Sequence, residues 1–371
     1  MIRVFEPLLG KIEKKYLNKS LSNGFISSSS PSVEKFEKDW AQYCNRKYGI
    51  SVSNGTVALQ LALKILNLKD GDEVIMPSNT IISCGMAAVY NNLKIIPIDC
   101  NLENWCIDES KIEKKITKKT KAILFVNVFG HPCDIDKLKK ISKKYNLFLI
   151  EDAAESHGSK YKNEICGSFG DISTFSFYAN KLITTGEGGM IVTNNKKLFE
   201  RAKYFRNLCF NNKARFKHND LGFNFRFTGI QADIGLAQMT RIKDLINKKI
   251  DIANHYIKEF NDQKYFTYVK NKSWALNTYW MFGIVIQNKK ITARRFIDLL
   301  KKENIEARPF FYGLHNQPVL KKLYKSKYHC PNTDFISKYG LYLPTGYNLN
   351  KKKIKVISKK VLKLFKNLLL N

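Results

Sequence analysis

Hydrophobic and polar positions along this chain repeat with two different periods. Leu9, Ile12, Tyr16, Leu17 and Leu21 recur at helical spacing and stop at Ser22-Asn-Gly24, which predicts a first helix over 8–22. A polar loop follows over 24–31, and Ser32 caps a second helix over 33–43. From 50 to 195, short apolar strands over 73–76, 94–98, 122–128, 147–150, 172–177 and 190–193 alternate with helical runs. That alternation predicts an α/β fold with a mainly parallel sheet between helices. Ligands of such sheets sit beyond the carboxyl ends of the strands.

Residues 228–260 read as one or two long helices leading out of this first domain. A smaller α+β domain follows, with strands over 280–286 and near 307–311 and helices over 294–303 and 352–369. The last helix gathers Ile354, Ile357, Val361, Leu364, Phe365 and Leu368 on one face, with lysines opposite. We expect it to pack on the core rather than lie on a membrane surface. A large domain over 1–245 and a small one over 246–371 result, a partition that 371 residues can support.

Composition narrows the class. The longest apolar runs, such as 122–126, are far too short to span a bilayer. Met1-Ile-Arg-Val-Phe-Glu-Pro7 lacks an apolar signal core, so a cytoplasmic location is expected. Eight cysteines form no Cys-x-x-Cys pair and read as reduced thiols, and six histidines show no metal-ligand spacing. The net charge of +31 is spread over the whole chain rather than gathered in a basic arm. No nucleic-acid-binding motif accompanies it, so neither nucleic acid nor membrane is expected as a partner. A basic surface still collects anionic small molecules.

Candidate chemistry centres on the stretch 173–192. An apolar strand there runs into a polar turn holding Lys181, followed by Gly186-Glu-Gly-Gly189 and a second apolar run. A lysine at a strand exit, beside backbone that can come close, suits Schiff-base chemistry, for which pyridoxal phosphate (PLP) is the usual carbonyl partner. The strand over 147–150 delivers Asp152, the acid that a pyridinium nitrogen needs. Ser53-Asn-Gly-Thr-Val57 opens an apolar helix, whose first N–H groups can face a phosphate.

The order of phosphate turn, acid and lysine resembles the sugar aminotransferases of the DegT/DnrJ/EryC1/StrS family, which are PLP enzymes of fold type I. The resemblance lies in 53–63, 151–158, 167–177, 180–189 and 222–226. It implies that Lys181 holds PLP and moves the substrate proton; relatives with His there are dehydratases, so Lys181 points to transamination. It further implies that Asp152 pairs with the ring nitrogen, that Glu155 is a cofactor contact, and that Gly55, Thr56, Val57 and Ser176 hold the phosphate. Ile81 stands where many relatives stack an aromatic ring on the pyridine. Asn224 matches a residue that reaches the phosphate from the neighbouring subunit, which implies a homodimer with shared sites. Ser27, Ser28, Asn180, Arg226, Phe310 and His315 fall on the substrate side.

The implied substrates are glutamate and a 4-keto-6-deoxy nucleotide sugar. The stretches 25–28, 130–134, 279–281 and 308–315 are most similar to members that convert GDP-4-keto-6-deoxymannose to GDP-perosamine for polysaccharide such as O-antigen. Another dTDP-, UDP- or GDP-linked 4-keto-6-deoxy sugar is the alternative, since Ala179 replaces a usual glycine beside the sugar. A reading of another class is a dead aminotransferase fold serving as a basic binding protein; Lys181, Asp152 and Ser176 together argue against it.

Overall fold

The computed structural model describes residues 1–211, 214–324 and 328–370. Its first half is a sheet built from β1 (Tyr48–Val52), β2 (Glu73–Pro77), β3 (Lys94–Ile98), β4 (Thr120–Val126), β5 (Phe148–Asp152), β8 (Ile172–Ser176) and β9 (Gly189–Thr193). Two short strands, β6 (Lys160–Tyr161) and β7 (Glu164–Ile165), lie outside it. The seven run in the order β1-β9-β8-β5-β4-β2-β3, and only the two pairings made by β9 are antiparallel. Strands β2, β8 and β9 are buried at every position, as a sheet covered on both faces requires.

Helices α1 (Lys11–Asn23), α2 (Pro31–Tyr43), α3 (Gly55–Ile65), α4 (Ile82–Val89), α5 (Ile135–Tyr145) and α6 (Lys196–Arg206) belong to this half. The sequence pattern missed β1, whose alternation is cut short by Gly49. The run over 228–260 is two helices, α7 (Gly229–Met239) and α8 (Ile242–Glu259), broken at Thr240-Arg241.

The second half holds β10 (Phe266–Thr267), β11 (Ala275–Leu276), β12 (Phe282–Ile286), β13 (Arg308–Pro309) and β14 (Gly340–Leu343). Its sheet runs β10-β12-β14-β13, while β11 pairs with β6. Helices α9 (Ala293–Lys302), α10 (Pro318–Tyr324), α11 (Pro331–Tyr339) and α12 (Lys351–Leu370) complete it. Strand β14, central in that sheet, also escaped the sequence pattern because it follows α11 without a turn signal.

Helix α12 buries Ile354, Ile357, Val361 and Phe365, and Phe365 stacks on Phe296 at 4.1 Å between centroids. Its apolar face is therefore core. The division expected at 245/246 falls inside α8. The first residues of the chain join the second half: Ile2 bridges Ile305, and Thr345 N–H donates to Val4 O at 2.8 Å.

All eight cysteines are buried free thiols. Among the described residues no acid, His and Cys cluster could hold a metal, and no helix is long and apolar enough to cross a membrane.

Candidate active site

The ends of β5, β8 and β9 meet the start of α3. Asn54 caps that helix, its Oδ1 accepting the Val57 N–H at 3.0 Å. A Cβ on Gly55 would lie 2.6 Å from Ser176 Cβ, and one on Gly189 would collide with Asn54 O. Glycine at both places lets the first turn of α3 rest directly on the strand ends. The N–H groups of Gly55 and Thr56 belong to that turn, where no intrahelical acceptor exists. The Val57 N–H, expected at the phosphate, is already used by the cap. Thr56 Oγ1 bonds Ser83 Oγ at 2.9 Å. Ser176, the last residue of β8, presents its Oγ beside the turn.

The neighbouring strand β5 ends in Asp152, which is buried. Its Oδ1 accepts the Ala154 N–H at 3.0 Å, and its Oδ2 accepts the Cys84 thiol at 3.4 Å. Burial raises the Asp152 carboxyl above the ordinary range, with the Ala154 hydrogen bond and the Lys181 charge opposing. Glu155, held by the Phe129 N–H at 2.8 Å, is pushed up to about 7 by burial, again against the pull of Lys181.

Lys181 sits in the turn after β8 with its Nζ 3.7 Å from the Trp280 ring centroid. Desolvation lowers its pKa, and the charges of Glu155 and Asp152 oppose that fall. An aromatic face and two carboxylates thus replace the water around an ammonium whose neutral form becomes accessible. The turn itself is held at both sides, Trp280 Nε1 donating to Asn180 O at 2.7 Å and Tyr347 Oη to Leu182 O at 2.6 Å.

These groups line one cavity of about 560 Å³. It brings together Gly55, Thr56, Val57, Ile81, Asp152, Glu155, Ser176, Asn180 and Lys181. Ile81 is 44% exposed on the wall, free to cover a flat ligand by apolar contact without aromatic stacking. Asn180 Oδ1 is buried and has no hydrogen-bond partner among the described residues.

Other expected residues lie elsewhere. Ser27, Ser28 and Arg226 line a second cavity of about 540 Å³, with Arg206 and Arg215. Asn224 is exposed and bridges Asn207, off the Lys181 cavity of its own chain. Phe310 and His315, expected at the substrate, do not line that cavity. Phe310 packs in an aromatic cluster, 4.7 Å from Trp105 and 4.8 Å from Phe129. His315 is a buried structural link, its Nδ1 2.6 Å from Ser78 Oγ and its Nε2 3.1 Å from Asp334 Oδ1. The exposed aromatic residue of that segment is Tyr312.

Sequence reasoning gave Trp280 no role. It reaches Lys181 from a hundred residues downstream. The sequence marked it only through the similarity of 279–281 to relatives; the structure adds the left-handed backbone of Tyr279, φ 50°, an uncommon conformation for an aromatic residue.

A sequence model of the DegT/DnrJ/EryC1/StrS aminotransferase family matches residues 7–362. GDP-perosamine synthase of Escherichia coli O157:H7 is 40% identical over 353 residues, 95% of each chain. The Vibrio cholerae enzyme of the same name is 35% identical over 365 residues, 96% of this chain and 97% of that one. Helicobacter pylori PseC, an aminotransferase involved in the biosynthesis of pseudoaminic acid, superposes with a TM-score of 0.94 at 26% identity, covering 99% of both chains. With the family matched over almost its whole length, the chain belongs to the DegT/DnrJ/EryC1/StrS aminotransferases.

Proposed function

We propose that the protein is a PLP-dependent nucleotide-sugar 4-aminotransferase. It takes the amino group of glutamate and places it on C4 of GDP-4-keto-6-deoxymannose, giving GDP-perosamine. The observation that carries the reading is the desolvated Lys181 facing Asp152 and Glu155 in a cavity that opens on the first turn of α3. The choice of sugar is supported by two relatives named GDP-perosamine synthase, at 40% and 35% identity.

The residues fit the cofactor. The close approach at Gly55 leaves helix N–H groups beside the Ser176 hydroxyl, which suits a phosphate. Asp152 lines the same cavity as Lys181, and its carboxylate suits a pyridinium nitrogen. When bound, PLP supplies an electron sink for the substrate carbanion. Gly55, Thr56 and Ser176 would bind its phosphate, and Asp152 would keep its ring nitrogen protonated. Ile81 would cover one face of the ring and exclude water.

Lys181 would hold the cofactor and would move the proton at the reacting substrate carbon. Burial lowers its pKa and so favours the neutral amine, and Glu155, pushed up to about 7, would take up the proton that the amine gives up. Asn180 offers its free Oδ1 to a substrate hydroxyl.

Asn224, Arg226, Ser27 and Ser28 would serve the site of a second copy, in a homodimer with two composite sites. Their position off the Lys181 cavity of their own chain favours that arrangement.

The test is incubation with PLP, glutamate and a panel of 4-keto nucleotide sugars, read by mass spectrometry. An aminated GDP-deoxyhexose is expected. A product formed only from a dTDP- or UDP-sugar would replace the substrate, and no product from any would overturn the activity.

A further inference from the structure

Helix α8 contains a lysine that the chemistry above does not use. Lys249 is 1% exposed, and no carboxylate among the described residues forms a salt bridge with it. Its Nζ donates to two backbone carbonyls, Trp280 O at 2.7 Å and Thr345 O at 3.0 Å. Two rings stand nearby: Nζ lies 5.0 Å from the centre of Phe5 and 5.8 Å from that of Tyr347. An ammonium taken out of water without an anion is costly, and an apolar side chain of similar length would fill the same space. Burial lowers its pKa far below the ordinary lysine value. Charge pairing therefore gives no reason for the amine.

Its two acceptors suggest a different reason. The indole of Trp280 holds Asn180 O, and the hydroxyl of Tyr347 holds Leu182 O. These are the peptide carbonyls on either side of Lys181. The two holding residues come from different parts of the second sheet, Trp280 just ahead of β12 and Tyr347 just after β14. Lys249 joins those two segments, and Thr345 Oγ1 reinforces the joint by donating to Trp280 O at 3.2 Å. Tyr256, seven residues further along α8, fixes the same segment through Pro344 O at 3.0 Å.

We propose that Lys249 is a positioning residue for Lys181. It cross-links the Trp280 and Thr345 segments, so that the indole and the Tyr347 hydroxyl grip the catalytic turn from both sides. The proposal rests on Lys181 being the catalytic lysine. It assigns to α8 the task of keeping the lysine over the Trp280 ring. Misplacement of a reacting group by about 1 Å can cost roughly a hundredfold in rate.

The test uses Lys249→Met, which keeps the length and apolar stem but removes the donor. Hydrogen exchange is measured by mass spectrometry on the cofactor-free full-length protein. Exchange over residues 178–185 should rise by about tenfold or more, with β4 and β5 unchanged, because local opening is set by local contacts. In the PLP-loaded enzyme kcat should fall about 10- to 100-fold with KM within about twofold. Lys249→Arg, which keeps donors, should recover most of both effects. Should Lys249→Met fail to fold, Tyr347→Phe removes one grip without opening a cavity, and it must raise exchange in the same segment. Exchange over 178–185 within about twofold of the parent in the variant that folds, or a rise spread evenly over the chain, overturns the proposal. Because exchange is read without cofactor, a parent protein that never binds PLP would defeat the function and leave the clamp measurable.

Discussion

Replacing Gly55 by alanine sets two opposing effects against each other. Alanine is the better helix former by about 1 kcal/mol, so propensity alone predicts a more stable protein. The added methyl, however, would stand 2.6 Å from Ser176 Cβ and 3.2 Å from Ser176 Cα. Carbon atoms settle at roughly 3.5–4.0 Å, so something must move by about 1 Å. The nearest obstacle is Ser176 Cβ, which is fixed to the backbone of a buried strand and cannot swing away as the hydroxyl can, so the start of α3 is what shifts. Overpacking of this kind costs about 1–3 kcal/mol, which cancels or outweighs the propensity gain.

The larger effect falls on the phosphate. Moving the Gly55 and Thr56 N–H groups by about 1 Å lengthens charge-assisted hydrogen bonds worth roughly 1.5–3 kcal/mol each. Losing one of them raises the Kd for PLP by about 10- to 100-fold. Urea unfolding of the cofactor-free protein reads the first effect, and spectrophotometric titration with PLP reads the second. A Gly55→Ala protein that is more stable than its parent and binds PLP within about twofold as tightly would refute both the close approach and the phosphate cradle.

Three further outcomes follow from named contacts. Asp152→Asn keeps the shape but breaks a buried charge pairing of a kind worth about 3–5 kcal/mol, so PLP affinity and turnover should both collapse; near-normal activity would mean that another acid serves the ring. Co-expression of Lys181→Ala with Asn224→Asp should restore part of the activity that each variant lacks, because one site of a mixed dimer is then intact; heterodimers as inactive as either parent would defeat the shared site. Glu109, buried and pushed by desolvation from 4.5 to about 7, keeps in the folded state a proton that the unfolded chain has released. Its contribution to stability therefore falls as pH rises from about 4.5 through 7, by about 3 kcal/mol in all. Glu109→Gln should match the parent near pH 4.5 and exceed it at pH 8; an equal gain at both pH values would contradict the sign.

The contacts that were legible in the sequence are local ones. Asp152 and Ser176 end apolar strands, and Gly55 opens an apolar helix, so period and turn chemistry placed all three at one edge of the sheet. The same signals located the turn of Lys181. What escaped depends on chain crossings that no local pattern encodes. Trp280 and Tyr347 reach that turn from the segments just ahead of β12 and just after β14, and Lys249 looks like one more lysine in a chain with 63 Lys and Arg residues. Strand β1 is short and interrupted by Gly49, and β14 follows a helix directly, so neither carries a clear period. Phe310 and His315, expected on the substrate side, are buried away from the Lys181 cavity while Tyr312 is exposed, a distinction that an aromatic run does not encode.

The central claim is that Lys181 bears the cofactor. Borohydride reduction of the PLP-loaded protein fixes the cofactor to whichever lysine carries it, and peptide mass spectrometry identifies that lysine. The account predicts one pyridoxyl group per chain, on the peptide containing Lys181, and none at that position in a Lys181→Ala protein. A label on any other lysine, Lys249 included, or a protein that takes up no label at all, would contradict it.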